Sequence, residues 1–587
     1  MASAALNALN VRTGLTALRA ADLRRGDLLA LCVVDGIGAG VATVGGATGF
    51  IAANELVAVI DAIERALEPR WVCWSNDTAA TLSRFGVRLA RSWDLAAVHR
   101  LIAGGWRAEP ARVWAVLHGL PVDEIPLPAE INLFTIERAA GDDIEDPIDR
   151  AGHLRAEWTA TEWEWTPLRL AAWAGVAMRA ATLQRDRVEA LTGSRAAATA
   201  RSESTAELLC AELSRTGLPV DRSVAEGIIG DLIGARPASQ AAADEQRRAR
   251  DGQVLQHTST FVDADLRNPA DVKSLLRSVG VEVPDTRAWR LEAMRDQHPL
   301  VDALLTWRKA ERIATTFGYA WLDQHLGDDG RLRGEWSGCD GAAGRMTATA
   351  GLHNMPALMR DAVVAEPGHV FVRADLGQIE PRVLAAVSGD AALARATVDD
   401  DLYAPVAAAL GVDRATAKVA VLGAMYGQTT GHGAQALRRL ESAYPVAMGF
   451  LHDADVAGQG GRELRTYGGR LIRTGLGAAA RQTESEARSG SAAQGRYARN
   501  AMVQGAAAEL FKVWAVIVRA RARALDAEIV MCLHDELLVH VPAEHGEAAA
   551  QLLRDCLAEA AHRWAPDAAV RFVAEVSIIE RWSDAGH

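Results

Sequence analysis

At 587 residues the chain exceeds what one hydrophobic core organises, and about 150 residues per domain divides it into two to four units. A 49% apolar composition with mean hydropathy near zero fits a folded globular protein, while a net charge of −12 excludes capture of polyanions by global attraction. Six scattered cysteines without a CxxC pair argue against disulfides and structural zinc and for a reducing, cytoplasmic setting.

The first 21 residues carry Arg12 and Arg19 and no acid, as a transit peptide would, but no cleavage pattern follows. Glycines break the apolar run 37–53, so it reads as strand and turn and no membrane span is expected. Residues 27–120 mix short apolar runs (LLALCVV, RWVCWSN) with a helical pattern (ELVAVIDAIERAL), an α/β signature. Within them GIGAG, 36–40, lacks the third glycine of GxGxxG and any following GK[ST], and reads as a strand running into a turn. A helical stretch with Trp158, Trp163, Trp165 and Trp173 comes next, then SRAAATARSEST, 194–205, a linker or helix-rich joint. The pattern is mainly helical to about 325, with polar breaks at RNPAD and VEVPDT, after which strand-like and helical runs alternate to the end.

Two acidic clusters sit on strand-like runs. HVFVRAD alternates as a strand should and leaves Asp375 at its C-terminal end, on the side shared with Phe371 and Arg373, before Pro381 opens the helical run PRVLAAVSG. VMCLHDELLVHVP, 530–542, reads as a buried strand with His534, Asp535 and Glu536 in its middle. Adjacent carboxylates there cost several kcal/mol unless a cation joins them. An aspartate after a strand is more often a turn residue than a ligand, but two such clusters suit two divalent cations bridging a phosphate chain.

Between them lies DRATAKVAVLGAMYG, 413–427. Asp413 is an N-cap candidate, and Arg414, Lys418, Leu422 and Tyr426 recur every four residues along one drifting helix face. Arg and Lys at i, i+4 without an acid between them are complemented by an anion, and a face that continues into Leu and Tyr is not simply solvated, so a triphosphate-binding helix is expected. Residues 461–500 carry eight arginines (462, 465, 470, 473, 481, 488, 496, 499) against three glutamates, which favours a groove that tracks phosphates over an ordinary solvated surface.

In order, D-x-x-Q-I-E-x-R, R-x-x-x-K-x-x-x-x-G-x-x-Y-G and H-D-E resemble motifs A, B and C of family A DNA polymerases, the DNA polymerase I type. GRMTATAGLHNMP (344–356) is similar to the segment before motif A and RYARNAMVQGAAAELFK (496–512) to that before motif C. LSRTGLPVD, NPADVKSLL and HPLVDALLTWRKAERI resemble the thumb and its flanks, so the likeness covers about 205–585. It implies an α/β and α+β multidomain fold, with an N-terminal ribonuclease H-like α/β domain followed by a right hand of palm, fingers and thumb. The divisions are 1–195 exonuclease-like, 205–330 thumb and flanking helices, 331–384 first palm part, 385–490 fingers and 491–587 second palm part.

The resemblance also implies roles. Asp375 and Asp535 bind two Mg²⁺ ions, with Mn²⁺ an alternative, and Glu536 joins the catalytic set at its periphery. Arg414 and Lys418 hold the triphosphate, Lys418 also protonating the leaving pyrophosphate. Gln378, Leu422 and Tyr426 belong to the nucleotide site, and Glu380 closes the space beside C2′. Arg345, Asn354, Arg496, Asn500, Gln504 and His534 contact primer and template, with Tyr426 and Gly427 against the templating position. Primer–template DNA and dNTPs are the implied partners of a cytoplasmic monomer.

Several residues depart from the family pattern. Leu376 and Gly377 replace Tyr-Ser, Pro381 an aliphatic residue and His353 a glutamine, and Leu422 stands where an aromatic side chain packs on the nucleotide sugar. In the N-terminal region, which resembles the actinobacterial type with a degenerate 3′–5′ exonuclease domain, Asp35 is followed by Ile37 where a D-x-E pair needs Glu. SWDLAAVHRLI offers Asp94, and LRLAAWAGVAMRAAT has no acid, so a shell without its metal site and without proofreading is expected. The alternatives are a non-catalytic DNA-binding or replisome scaffold, which the intact Asp375, Asp535 and Lys418 argue against, and an active exonuclease with lesser polymerase, which the missing acids argue against.

Overall fold

The computed structural model describes residues 8–585 apart from 11, 128–144, 161–162, 192–193, 259–263, 340–342, 428–432 and 476–483. Strands β1 (Leu28–Val34), β2 (Gly38–Thr43) and β3 (Thr48–Ala52) pair antiparallel in succession, while β4 (Arg70–Cys73) and β5 (Ser92–Asp94) extend the sheet in parallel from the other side of β1. The order is β3-β2-β1-β4-β5. The glycines of GIGAG serve packing: a Cβ on Gly40 would lie 1.9 Å from the Leu170 carbonyl oxygen, so only glycine lets β2 lie against helix α1 (Pro167–Glu189). Thr166 caps α1 through the Arg169 N–H, with Pro167 at the first position. The tryptophan-rich stretch covers this face, with Trp173 stacked on Trp74 at 4.8 Å and Trp158 fully buried beside it.

The segment read as a linker or helix-rich joint is the first half of helix α2 (Ser194–Thr216). It carries polar residues because its buried side is itself polar. Glu203 receives Lys512 Nζ at 2.6 Å and Arg470 Nη2 at 2.7 Å, each of the three side chains at most 2% exposed. Burial alone would raise the Glu203 carboxyl, and the two cations more than offset it and hold it below its usual range. Farther along, Glu212 is clamped by Arg519 and Arg88.

A second sheet contains β6 (His369–Leu376), β7 (Glu528–Leu533), β8 (Glu536–Pro542) and β9 (Ala574–Ile579), in the order β7-β8-β6-β9. Between β6 and β7 come α3 (Ile379–Ser388), α4 (Arg414–Tyr426) and the long helix α5 (Glu484–Ala522). Helix α5 is apolar enough by composition to cross a membrane, but its apolar stretch is buried, with Leu510, Trp514 and Val518 in the core. These elements and both sheets belong to one unit, residues 1–216, 335–348 and 368–578.

Residues 217–334, 349–367 and 579–587 form the second unit, which is mainly helical. Its core gathers Val272, Leu275, Leu276, Leu300, Leu304 and Trp307. The break RNPAD is a helix start: Asn268 caps helix Pro269–Ser278, while Arg267 bonds Asp251 and Glu311 and lies over the Trp307 ring.

Glu203→Ala leaves Lys512 and Arg470 buried without their counter-charge and is expected to cost about 3–5 kcal/mol. Denaturant unfolding of parent and variant measures it; a loss below about 1 kcal/mol would mean that the two cations find water instead.

Candidate active site

The sheet pairs β6 with β8 antiparallel, Asp375 opposite Glu536. Cross-strand partners and i, i+2 neighbours share a face, so Arg373, Asp375 and Glu536 point the same way. Arg373 Nη2 lies 2.8 Å from both carboxylates. The strand read as continuous through 530–542 is a hairpin: β7 ends at Leu533, His534 takes a left-handed φ of +55°, and β8 begins at Glu536. Asp535 therefore sits in a turn, where its carbonyl accepts the Leu376 N–H at 3.0 Å and ties motif C to the end of β6.

Electrostatics follow from that crowding. Burial raises the Asp375 carboxyl, and Glu536 and Glu575 add to the rise while Arg373 opposes it. Asp535 is pushed up to about 7, by burial first and then by Asp375, Glu536 and Glu380. Among the described residues no basic side chain pairs with Asp535. Hard carboxylate oxygens that repel one another in a half-buried site are the donor set a divalent cation satisfies, so Asp375 and Asp535 fit Mg²⁺.

A cavity of about 240 Å³ opens beside Asp535, lined also by His534, Glu380, Gln378, Leu422 and Tyr426. Arg345, Tyr403 and Phe511 are also in its wall. Glu380 stands in the first turn of α3 and is held from two sides, by the Tyr426 hydroxyl donating at 2.8 Å and by Arg345 at 3.1 Å. Burial, then the bond to Glu380, pushes the Tyr426 phenol up to about 12, while Gln504 bonds the same phenol. Helix α4 starts as expected, Asp413 accepting the Thr416 N–H at 2.9 Å. Lys418 is exposed, and Arg414 is engaged by Asp401, Nε to Oδ2 at 2.6 Å. Gln378 fixes that aspartate, donating to Asp401 Oδ1 at 3.1 Å and accepting the Leu402 N–H at 2.8 Å. Arg382, fully buried, holds the same loop through main-chain carbonyls alone: Gly377, Thr397, Asp399, Asp400 and Arg571.

Along α5, Arg496, Asn500 and Gln504 follow at four-residue spacing, and a Cβ on Gly427 would meet Arg496 Cγ at 2.8 Å. Asn500 Oδ1 is buried, with no hydrogen-bond partner among the described residues. Asn354 belongs to the other unit, exposed, its carbonyl accepting from Arg312.

The DNA polymerase family A profile matches residues 269–584, more than half of the chain. The chain belongs to DNA polymerase family A. DNA polymerase I of Chloroflexus aurantiacus is 32% identical over 299 residues, 46% of this chain and 31% of that protein. Thermostable DNA polymerase I of Thermus aquaticus is 29% identical over 328 residues, 51% of this chain and 38% of that one. The chain spans about a third of the length of these curated relatives. The fold is that of the POL domain of Pol1 from M. smegmatis, solved in complex with DNA primer-template and dNTP: TM-score 0.70, 21% identity, 99% of this chain and 100% of that one.

Two features of this family A chain were not assigned from sequence. Asp401 is a partner of Arg414 that no spacing rule connects to it, and Arg373, noted only for its face, is the counter-charge of the acidic pair. One expectation is narrowed. Of the arginines of 461–500, Arg470 is buried on Glu203 and takes no part in a phosphate-tracking face, while Arg465 donates to the carbonyls of Gly469 and Ile102 and Arg473 to that of Ala103. Arg462, Arg473 and Arg496 are exposed. Arg481 and the side chain of Arg488 lie outside the described residues.

Because the Asp535 carboxyl is raised, its ionisation works against the native state, with stability lost as pH climbs from its unfolded value toward about 7. Asp535→Asn is expected to be more stable than the parent by about 1–3 kcal/mol in EDTA at pH 8 and equal to it at pH 4. Thermal unfolding at the two pH values checks this; no gain at pH 8 would mean that the carboxylate is relieved by its neighbours.

Proposed function

We propose that this chain extends a primer 3′ end along a DNA template, adding nucleotides from dNTPs by nucleotidyl transfer at two divalent metal ions, Mg²⁺ foremost, as a cytoplasmic monomer without proofreading. Asp535, tied to the end of the strand that carries Asp375, lines a cavity walled by motif B residues Leu422 and Tyr426, and this carries the reading. The related Pol1 domain, solved with primer-template and dNTP, supports it. Bound by Asp375 and Asp535, the ions supply neutralisation of the triphosphate and acidification of the primer hydroxyl.

The chain's own residues do the rest. Lys418 and Arg414 hold the triphosphate, Arg414 exchanging Asp401 for phosphate oxygens, and Lys418 Nζ gives its proton to the departing pyrophosphate. Glu380, fixed by Arg345 and Tyr426, fills the space beside C2′ and disfavours ribonucleotides. Gln378 and Leu422 line the nucleotide site; Arg345, Asn354, Arg496, Asn500, Gln504 and His534 face primer and template. Residues 205–330 are the thumb, 331–384 and 491–587 the palm and 385–490 the fingers.

The sheet order β3-β2-β1-β4-β5 supports a ribonuclease H-like domain in residues 1–195. Its acids are committed elsewhere: Asp35 is exposed and paired with Arg84 at 3.4 Å, and Asp94 is buried and caps the helix after it through the Ala97 N–H. The exposure of Asp35 and the capping role of Asp94 support a nuclease shell without nuclease chemistry.

Primer extension with dNTPs and Mg²⁺, run beside a dNTP-free degradation assay, tests the proposal. Asp375→Ala and Asp535→Ala are each expected to extend primers at under about 1% of the parent rate while still binding primer–template, because each removes a metal ligand worth several kcal/mol in the transition state. No primer shortening is expected in the second assay. Extension above that level by either variant would remove the metal-site assignment.

Leu422 supplies apolar area without the flat face or hydroxyl of a tyrosine, so dNTP binding should be weaker than with an aromatic residue by about 0.5–1.5 kcal/mol, seen as a higher KM. Leu422→Tyr should accept dideoxynucleotides more readily, its phenol standing in for the missing 3′-OH. The ratio of kcat/KM for ddTTP and dTTP decides: an unchanged ratio means that position 422 does not face the sugar.

A further inference from the structure

A second cavity, of about 440 Å³, opens at the amino-terminal edge of the first sheet, where β1 and β4 begin and the β2–β3 turn meets α1 and α2. Arg70, Arg185 and Arg201 line it. Arg70, at the first position of β4, is half-buried, and its one described side-chain bond is Nη1 to the Ser92 carbonyl at 2.9 Å. Among the described residues no carboxylate pairs with any of the three. The cavity's acids are placed otherwise: Asp22 pairs with Arg24 at 3.4 Å, Asp27 accepts the Arg24 N–H at 2.8 Å, and Glu189 is exposed at the rim. Glu68, the acid nearest in sequence, is taken by Arg25 and Arg91.

A guanidinium withdrawn from water beside others of its kind is costly without an anion. Burial, then Arg201 and Arg91, lowers the Arg70 guanidinium to about 10. No part of the polymerase reading uses these groups, and the β2–β3 turn keeps them at the opposite end of β1 from Asp35.

We infer that this arginine-lined cavity binds a small phosphate-bearing ligand, a phosphate monoester or free phosphate, held by Arg70 at its floor and by Arg185 and Arg201 at its mouth. Planar guanidinium forks match phosphate oxygens, and three of them suit a dianion better than a carboxylate. The volume exceeds that of phosphate alone and reaches the range of small-ligand sites, which admits a mononucleotide whose sugar and base project toward Glu189 and the opening. The site is independent of the triphosphate position on α4.

Titration calorimetry on the full chain tests it with three probes: inorganic phosphate, dAMP and deoxyadenosine. Phosphate and dAMP are expected to bind and deoxyadenosine not to; dAMP binding more tightly than phosphate identifies a nucleotide site, and equal affinities identify a free-phosphate site. Arg201→Gln should weaken binding by about tenfold or more, the loss of one charge-assisted contact. Arg201→Glu should abolish binding and raise the melting midpoint in phosphate-free buffer, because the new carboxylate pairs with Arg70 in place of the ligand. Binding should survive Lys418→Ala. Absence of phosphate and dAMP binding, binding unchanged in both Arg201 variants, or binding lost in Lys418→Ala would each overturn the inference.

Discussion

Antiparallel pairing of β6 with β8 places Asp375 opposite Glu536, and the turn before β8 delivers Asp535 to the end of β6. No arrangement of free side chains would choose this, since like charges repel in proportion to how well they are shielded from water. The register is imposed by the apolar faces of the two strands, Phe371 and Val372 on one and Leu537, Leu538 and Val539 on the other, all buried. Consecutive residues are buried on both strands, so both faces are packed, and a one-residue slip would exchange the two faces and misfit them; packing holds the carboxylates where electrostatics alone would part them. The carboxylates are held together by the sheet and not by attraction between them, an arrangement that a bound cation would relieve.

What the amino-acid order discloses and what it hides divides along range of interaction. Local signals hold: Asp413 caps α4, HVFVRAD is a strand ending in Asp375, and the alternation of residues 27–120 is an α/β sheet. The hairpin at His534 and Asp535 was hidden because no Gly, Pro or Asn marks it, and both flanks are apolar and strand-forming. Long-range pairing was hidden altogether. Arg470 looks like a surface charge until Glu203, far away in the chain, is found beside it in the core. The motif order singled out Asp375, Asp535 and Lys418 as candidates, but Asp401 and Arg373 gained meaning only once the loops were in place.

In the amino-terminal region and along α2 the acids serve capping and ion pairing. Asp94 closes a helix end, Glu203 and Glu212 neutralise cations reaching in from α5, and Gly40 makes room for α1. Helix α2 is tied to the rest of its unit by these pairs, since without Glu203 and Glu212 the side chains of Lys512, Arg470 and Arg519 would lack counter-charges.

Arg382 has a different consequence. Its guanidinium binds five main-chain carbonyls and no side chain, so the path of the 397–400 loop is specified without reference to which residues compose it. Asp399 is exposed, and its contribution to that anchor is a carbonyl any residue would offer. The loop can therefore vary in sequence across descendants of this chain while it continues to present position 401 to α4 at the same height. Lysine at 382 would not preserve it, because a single ammonium cannot reach acceptors that diverge in three directions.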